Sequence, residues 1–169
     1  MIKPREKTPD LKINLVNDTK WSLHEQSPEN FTLIIFYRGI HCPVCKKQLE
    51  QLKKKMDDFT ERGVNLIAIS ADTEEKAKKA YKDWDIESLP VGYDLPIEEG
   101  RKWGLFVSKG ISDKEPDTFL EPGLFLIDKE QKVYWQSIQS MPFGRPEFRD
   151  VLNGIDYILK EGYPARGEA

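Results

Sequence analysis

The chain has 169 residues and a mass of 19.6 kDa, which fits one domain of ordinary size. Charged residues make up 33 %, but four Trp, six Tyr and eight Phe are enough to anchor a core, so disorder of the whole chain is excluded. The net charge of −3 does not indicate a basic nucleic-acid-binding surface or a polybasic membrane anchor. No apolar run approaches the ~18 residues of a spanning helix, and the first ten residues lack the apolar core of a secretory signal. A cytoplasmic protein without nucleic-acid or membrane partners is therefore expected.

Hydrophobic periodicity predicts alternating strands and helices along the whole chain. In chain order these are strands at 11–16 and 21–23, a buried strand at 31–37, a helix from Pro43 to Gly63, a buried strand at 64–70, a helix at 73–84, a short strand at 89–94, a short helix at 97–106, a polar loop at 108–121, a hairpin of strands 123–128 and 132–137, and a helix at 146–160. The order predicts a single α/β domain, 1–169, with a central sheet and helices on both faces. Residues 1–9 and 162–169 are expected to be loose tails.

The two cysteines are close neighbours, in His41-Cys42-Pro43-Val44-Cys45-Lys46. This spacing leaves three interpretations: a redox dithiol, half of a zinc site, or coincidence with two inert buried thiols. Zinc needs four ligands, and only His24 and His41 remain to complete a set. His41 adjoins Cys42, which makes joint chelation awkward. No metal and no organic cofactor is therefore expected.

The position of the cysteines at a strand-to-helix junction favours redox chemistry. Proline is preferred at the first helical position, so Pro43 places Cys42 at the N-cap and Cys45 at the third helical position. A thiolate on Cys42 would face free backbone N–H groups and the positive end of the helix dipole, which lowers its pKa. His41 and Lys46 could add positive charge nearby. Cys45 could then attack a mixed disulfide on Cys42 and close the pair.

Several segments together resemble a known family. Phe36-Tyr37-Arg38-Gly39-Ile40-His41-Cys42-Pro43-Val44-Cys45 is similar to the active-site region of the peroxiredoxin-like branch of the alkyl hydroperoxide reductase/thiol-specific antioxidant family, in the thioredoxin-fold superfamily. The resemblance extends over nearly the whole chain, through Asn65–Asp72, Tyr93-Asp94 and Pro122–Asp128. It implies a thioredoxin-like, peroxiredoxin-type three-layer sandwich, with a mixed sheet, helices on both faces and an N-terminal hairpin.

The active-site residues depart from the peroxiredoxin pattern at three positions. The family's Pro-x-x-x-Thr-x-x-Cys motif falls on Arg38, Cys42 and Cys45, with Cys45 at the peroxidatic position. The family's later arginine falls on Pro122. The substitutions at Cys42 and Pro122 both resemble thioredoxin, which implies a cis Glu121–Pro122 bond facing the cysteines and the substrate, with a trans strand-opening proline as the alternative. Arg38 or Arg145 could supply charge from new positions, unless each is an ordinary solvated or salt-bridged arginine.

The resemblance implies a thiol-dependent antioxidant enzyme that reduces peroxides through a Cys42/Cys45 dithiol–disulfide cycle. A thiol–disulfide oxidoreductase without peroxidase activity and a non-catalytic redox sensor or adaptor are the alternatives. An external thiol system, of the thioredoxin or glutathione type, would re-reduce the pair. A homodimer is a possible assembly of the chain. Local chemistry favours Cys42 as the attacking thiol, because an N-cap side chain is expected to be the more exposed. The peroxiredoxin alignment favours Cys45 instead.

Overall fold

The computed structural model describes all 169 residues, with nine strands and five helices. None of these helices combines the length and the apolar character needed to cross a membrane. A single turn of 3-10 helix covers Leu23–Glu25. The strands and helices in chain order are β1 (Lys12–Leu15), β2 (Lys20–Ser22), β3 (Phe31–Phe36), α1 (Pro43–Lys54), α2 (Met56–Glu61), β4 (Val64–Ile69), α3 (Glu74–Asp83), β5 (Val91–Tyr93), α4 (Ile97–Lys102), β6 (Val107–Lys109), β7 (Thr118–Leu120), β8 (Gly123–Asp128), β9 (Val133–Ile138) and α5 (Phe148–Glu161).

Seven of the strands form one mixed sheet, in the order β2-β1-β5-β4-β3-β8-β9. The central strands β3, β4 and β5 run parallel, whereas β8 is antiparallel to β3 and β9 is antiparallel to β8. The predicted N-terminal hairpin is present as β1 and β2. In the centre, β3 is buried at every position, which explains its nearly unbroken run of apolar residues.

Successive residues of the central strands point to opposite faces of the sheet and enter two separate cores. Leu33 and Ile35 of β3 belong to the core that is completed by α1, α2, α3 and α5, and this core includes both cysteines. Ile34 and Phe36 belong to the other core, which Trp103 at the end of α4 and Leu120 of β7 help to complete. The predicted α/β sandwich with helices on both faces is confirmed.

Two segments differ from the sequence expectation. The helix expected to run from Pro43 to Gly63 is divided at Lys55, whose N–H donates to the carbonyls of both Gln51 and Leu52 as the turn tightens. The segment 108–121, expected to be a polar loop, contains the two-stranded hairpin of β6 and β7. Each of these strands has only three residues, which is too short to give a readable periodicity.

Both chain ends contact the body of the protein. Arg5 and Thr8 donate backbone hydrogen bonds to Val133 and Gln131, so that the first residues lie along the outer edge of β9. Ile2 is buried in the second core. At the other end, the Arg5 side chain donates to the carbonyl of Ala165. The N-terminal segment therefore covers the edge of β9 that would otherwise present unpaired backbone groups.

Candidate active site

The cysteine pair lies where β3 leaves the sheet and α1 begins. Pro43 is the first residue of α1, and Cys42 is its N-cap with an extended backbone. The Cys45 N–H donates to Cys42 Sγ at 3.2 Å. The sulfur thus satisfies one of the backbone donors that a helix start leaves free, as the position of Pro43 predicts.

The turn that delivers Cys42 is held by a buried carboxylate from the next strand. Asp72, just after β4, accepts the Ile40 N–H through Oδ2 at 2.7 Å. Gly39 has φ +131°, and a β-carbon there would lie 2.5 Å from Asp72 Oδ1. Only glycine fits this approach, because the space and the backbone angle both exclude a side chain. Burial raises the pKa of Asp72 to about 6, against the opposing hydrogen bond from Ile40.

The two thiols have pKa values shifted in opposite directions. The Cys45 thiol donates to Cys42, and this hydrogen bond, with the Cys45 N–H and the charges of Arg145 and Arg38, lowers the pKa of Cys42 to about 6 against the effect of burial. The pKa of Cys45 is raised, first by burial and then by its bond to the neighbouring Cys42. At neutral pH the pair is therefore a Cys42 thiolate beside a Cys45 thiol.

Exposure does not distinguish the two cysteines. Cys42 is 1 % exposed and Cys45 is 0 % exposed, so the greater exposure expected of the N-cap thiol is too small to separate the two. The apolar core on this face of the sheet encloses both residues. Hydrogen bonding and charge, rather than exposure, are what lower the pKa of Cys42 below that of Cys45.

Arg145 reaches the sulfurs from the loop of residues 139–147, between β9 and α5. Its Nη2 lies 3.0 Å from Cys45 Sγ and 3.7 Å from Cys42 Sγ. Its Nη1 donates to Gln48 of α1, and its Nε donates to the carbonyl of Pro142. The guanidinium is therefore fixed by two further groups of the protein, the Gln48 side chain and the Pro142 carbonyl, while one edge faces both sulfurs.

Arg38 lies in the active-site turn but is engaged elsewhere. Its guanidinium pairs with Glu121 at 3.3 Å and Glu115 at 3.7 Å, and it stacks over the Phe119 ring at 4.5 Å. These contacts join the turn to the hairpin of β6 and β7. Arg38 lowers the pKa of Cys42 only through its charge, and less than Arg145 does.

Neither His41 nor Lys46 is positioned to supply the positive charge expected of it. The His41 ring packs edge-on against Phe119, with centroids 4.7 Å apart. Burial and the nearby Arg38 lower the pKa of His41, so the imidazole is neutral at pH 7. Lys46 is exposed and its ammonium lies 4.0 Å from Glu50, one turn further along α1.

The expected cis bond before Pro122 is wrong, because the chain contains no cis peptide bond. The Glu121 N–H donates to Phe106 O at 2.8 Å, and Pro122 O accepts the Gln139 N–H at 3.0 Å. Both neighbouring strands therefore hold this segment in an extended trans path into β8. Pro122 therefore lacks the cis geometry that the resemblance implied, and its substrate-facing role stays a prediction.

Two residues of the site, Gln48 and Asp72, carried no signal in the sequence analysis. Gln48 is a neutral residue in the Lys-rich helix that follows the cysteines. Only its low exposure in the folded protein, 8 %, distinguishes it from the other polar residues of that helix. Asp72 follows a buried strand, where a polar residue is ordinary. A carboxyl group after the strand beside β3 was the one available hint, since the ends of adjacent parallel strands meet.

Comparison with known proteins adds family evidence to this geometry. The model of the AhpC/TSA family matches residues 4–136. The alkyl hydroperoxide reductase C of Helicobacter pylori is 26 % identical over 163 residues, covering 92 % of this chain and 77 % of that protein. The 1-Cys peroxiredoxin PER1 of Arabidopsis thaliana is 30 % identical over 159 residues, covering 89 % and 68 %.

The solved structures confirm the thioredoxin-like, peroxiredoxin-type fold. The peroxiredoxin 6 of Arenicola marina, crystallised as a cysteine-to-serine mutant, superposes with a TM-score of 0.82 at 21 % identity, covering 96 % of this chain and 76 % of that chain. The peroxidoxin BcpB of Mycobacterium tuberculosis gives 0.76 at 17 % identity, covering 94 % and 99 %. With a family match over most of its length and the fold expected of that match, this chain belongs to the AhpC/TSA family.

Proposed function

We propose that this protein reduces small hydroperoxides, with Cys42 as the attacking thiol and Cys45 as the resolving thiol. The observation that carries the proposal is the Arg145 guanidinium beside a buried thiolate–thiol pair. Membership of the AhpC/TSA family, and relatives named alkyl hydroperoxide reductase and peroxiredoxin, support peroxide as the oxidant.

The first step transfers one oxygen atom to sulfur. The Cys42 thiolate attacks the hydroperoxide ROOH, the S–O bond forms as the O–O bond breaks, and RO⁻ leaves to take up a proton as ROH. Cys42 is now a sulfenic acid. A nucleophile with a pKa near 6 is largely ionised at neutral pH and needs no separate base.

The second step closes the disulfide. The Cys45 thiol attacks the Cys42 sulfenic sulfur, an S–S bond forms, and the thiol proton leaves with the hydroxyl as water. Cys45 carries the raised pKa of the pair, so it needs a positive group where its negative charge develops. Arg145 Nη2 at 3.0 Å from Cys45 Sγ supplies that group.

Electron balance requires an external thiol, because each cycle leaves one disulfide. Two electrons from a dithiol, or from two monothiols, restore the pair and complete the conversion of ROOH to ROH and water. We propose a reductant of the thioredoxin or glutathione type and a cytoplasmic location, where such thiols keep cysteines reduced. A homodimer is compatible with the proposal, which needs no second subunit.

A thiol–disulfide oxidoreductase without peroxidase activity is the competing candidate. The Cys-Pro-Val-Cys pair at the start of α1 favours it, since the same two thiols could exchange with a disulfide. Burial argues against it, because both cysteine residues are 1 % exposed or less and a protein disulfide is far larger than a hydroperoxide. A sensor would form the same Cys42–Cys45 disulfide but would not turn over.

One preparation tests these alternatives. Peroxide consumption and reduction of insulin disulfides are measured side by side, with excess dithiol present. We expect many turnovers of peroxide and slow insulin reduction. Insulin reduction without peroxide turnover would make the protein a disulfide oxidoreductase, and a single stoichiometric oxidation without recycling would make it a sensor.

A further inference from the structure

Two arginines act on the Cys42 thiolate, and they differ in how their charges are balanced. Arg38 faces the carboxylates of Glu115 and Glu121. Arg145 pairs with no carboxylate, and its side-chain partners are the two sulfurs and Gln48. The positive charge of Arg145 is therefore available to sulfur, whereas that of Arg38 is largely neutralised.

Gln48 is the neutral member of this arrangement. It lies on α1 one turn beyond Cys45, and it is 8 % exposed. A guanidinium only donates, so the Gln48 group that faces Arg145 Nη1 is its carbonyl oxygen. Buried polar side chains are rarely tolerated without a partner, and Arg145 is the one hydrogen-bond partner of this side chain.

We propose that Gln48 is a positioning residue for the thiol chemistry: its uncharged amide fixes the Arg145 guanidinium against the sulfurs without neutralising it. A glutamate at this place would hold Arg145 equally well but would form an ion pair with it. An apolar residue would leave the charge intact but remove the anchor. The amide satisfies both requirements, and this role rests on the proposed function of the Cys42/Cys45 pair.

The test is the titration of Cys42, measured by the ultraviolet absorbance of the thiolate and by alkylation rate with site assignment by mass spectrometry. The charged or titratable groups that act on Cys42 are Cys45, Arg145 and Arg38. Gln48→Glu adds a negative charge beside Arg145, and we expect the midpoint to rise by ~1 pH unit. The alkylation of Cys42 would then slow ~tenfold at pH 5 but only ~twofold at pH 7, because the thiolate fraction sets the rate of alkylation.

The matched control is Gln51→Glu, the same substitution on the exposed side of the same helix. Its midpoint should stay at the wild-type value. A Gln48→Glu midpoint equal to that of Gln51→Glu would overturn the proposal.

Gln48→Met decides the matter if the glutamate variant does not fold. It removes the acceptor at similar volume, so its midpoint should also rise as Arg145 loses its anchor. In an Arg145→Met background the same change should give no further shift, since Gln48 acts through Arg145. Equal shifts in both backgrounds would contradict the positioning role. The titration needs no peroxide, so failure of the proposed peroxidase activity would show separately, as wild-type protein that titrates normally but consumes no peroxide.

Discussion

Arg145 and Cys45 are one hundred residues apart in the chain, yet Arg145 Nη2 lies 3.0 Å from Cys45 Sγ. The same nitrogen is 3.7 Å from Cys42 Sγ, so one cation serves both sulfurs of the pair. This matters because negative charge changes place during the proposed cycle, from Cys42 before attack to Cys45 during resolution. A guanidinium that faces both sulfurs can stabilise each thiolate without moving.

Replacing Arg145 should therefore slow peroxide reduction. Arg145→Met removes a positive group that lowers the pKa of Cys42, and it removes a donor that lies 3.7 Å from the Cys42 sulfur. We expect a loss of ~tenfold or more in the second-order rate with peroxide at neutral pH, measured by stopped flow. Arg149→Met is the control, since Arg149 is exposed and pairs only with Asp150. Equal rates in the two variants would remove Arg145 from the chemistry.

The pH dependence of the reaction should report the thiolate on Cys42. The pKa of this thiol is lowered to about 6, so the thiolate fraction, and with it the rate of alkylation, should rise through pH 6 and level off above pH 7. The largest cause of the lowering is the hydrogen bond donated by Cys45. Cys45→Ala should then raise the midpoint by ~1 unit or more.

The hydroxyl of Cys45→Ser makes that variant the matched comparison. Serine can still donate to Cys42, so its midpoint should stay closer to that of the wild type. If the alanine and serine variants titrate alike, the thiol of Cys45 does not set the reactivity of Cys42.

Local chemistry explains why part of the site was predictable. Proline is favoured at the first position of a helix, and an amphipathic pattern follows Pro43, so the N-cap position of Cys42 follows from its neighbours. Arg145 could be named as a source of charge, but nothing within the segment 139–147 indicates that the loop folds back onto α1. Its place depends on how β9 and α5 pack, which is a property of the whole chain.

Two of the errors have the same origin. His41 and Lys46 are adjacent to the cysteines in sequence, but side-chain direction carries one to Phe119 and the other to Glu50. Pro122 opens its strand in trans because Phe106 and Gln139 hold the flanking backbone. The contacts of His41 and Pro122 link residues distant in the chain, and a periodic pattern contains no record of them. The pairing of Lys46 with Glu50 is local, but the adjacency of Lys46 to the cysteines outweighed it in the prediction.

Gly39 should tolerate no side chain. In Gly39→Ala the new methyl group would meet Asp72 Oδ1 at 2.5 Å, on a backbone with φ +131°. We expect a loss of ~2 kcal/mol or more in the free energy of unfolding, measured by urea denaturation. Gly162→Ala provides the control, because Gly162 also has a positive φ but nothing lies within 4 Å of the added carbon. That variant should lose only ~1 kcal/mol. A Gly39→Ala protein as stable as Gly162→Ala would mean that the turn adjusts freely.

Ionisation of Asp72 should lower the free energy of unfolding as the pH rises from 4 to 6. Burial raises its pKa from 3.8 in a free side chain to about 6 in the folded protein. The folded state thus binds the proton more tightly, and stability present at low pH is lost as the pH rises through this window, by at most ~3 kcal/mol.

Asp72→Asn should flatten that dependence, because the amide oxygen can still accept the Ile40 N–H while the ionised form no longer exists. Urea denaturation at pH 4 and pH 7 measures the difference. Asp113→Asn, at an exposed turn, should keep the wild-type dependence. A slope unchanged in Asp72→Asn would assign the pH dependence to other carboxyl groups.

The assignment of the attacking thiol is tested most directly by adding one equivalent of hydrogen peroxide to two variants, with a sulfenic-acid-specific dione present and the modified residue identified by mass spectrometry. In Cys45→Ser we predict one equivalent consumed, the trapped sulfenic acid on Cys42, and no second turnover. In Cys42→Ser we predict no consumption above that of a protein with blocked thiols. If Cys42→Ser instead consumes one equivalent and carries the trapped group on Cys45, then Cys45 is the attacking thiol and the roles assigned to the pair are reversed.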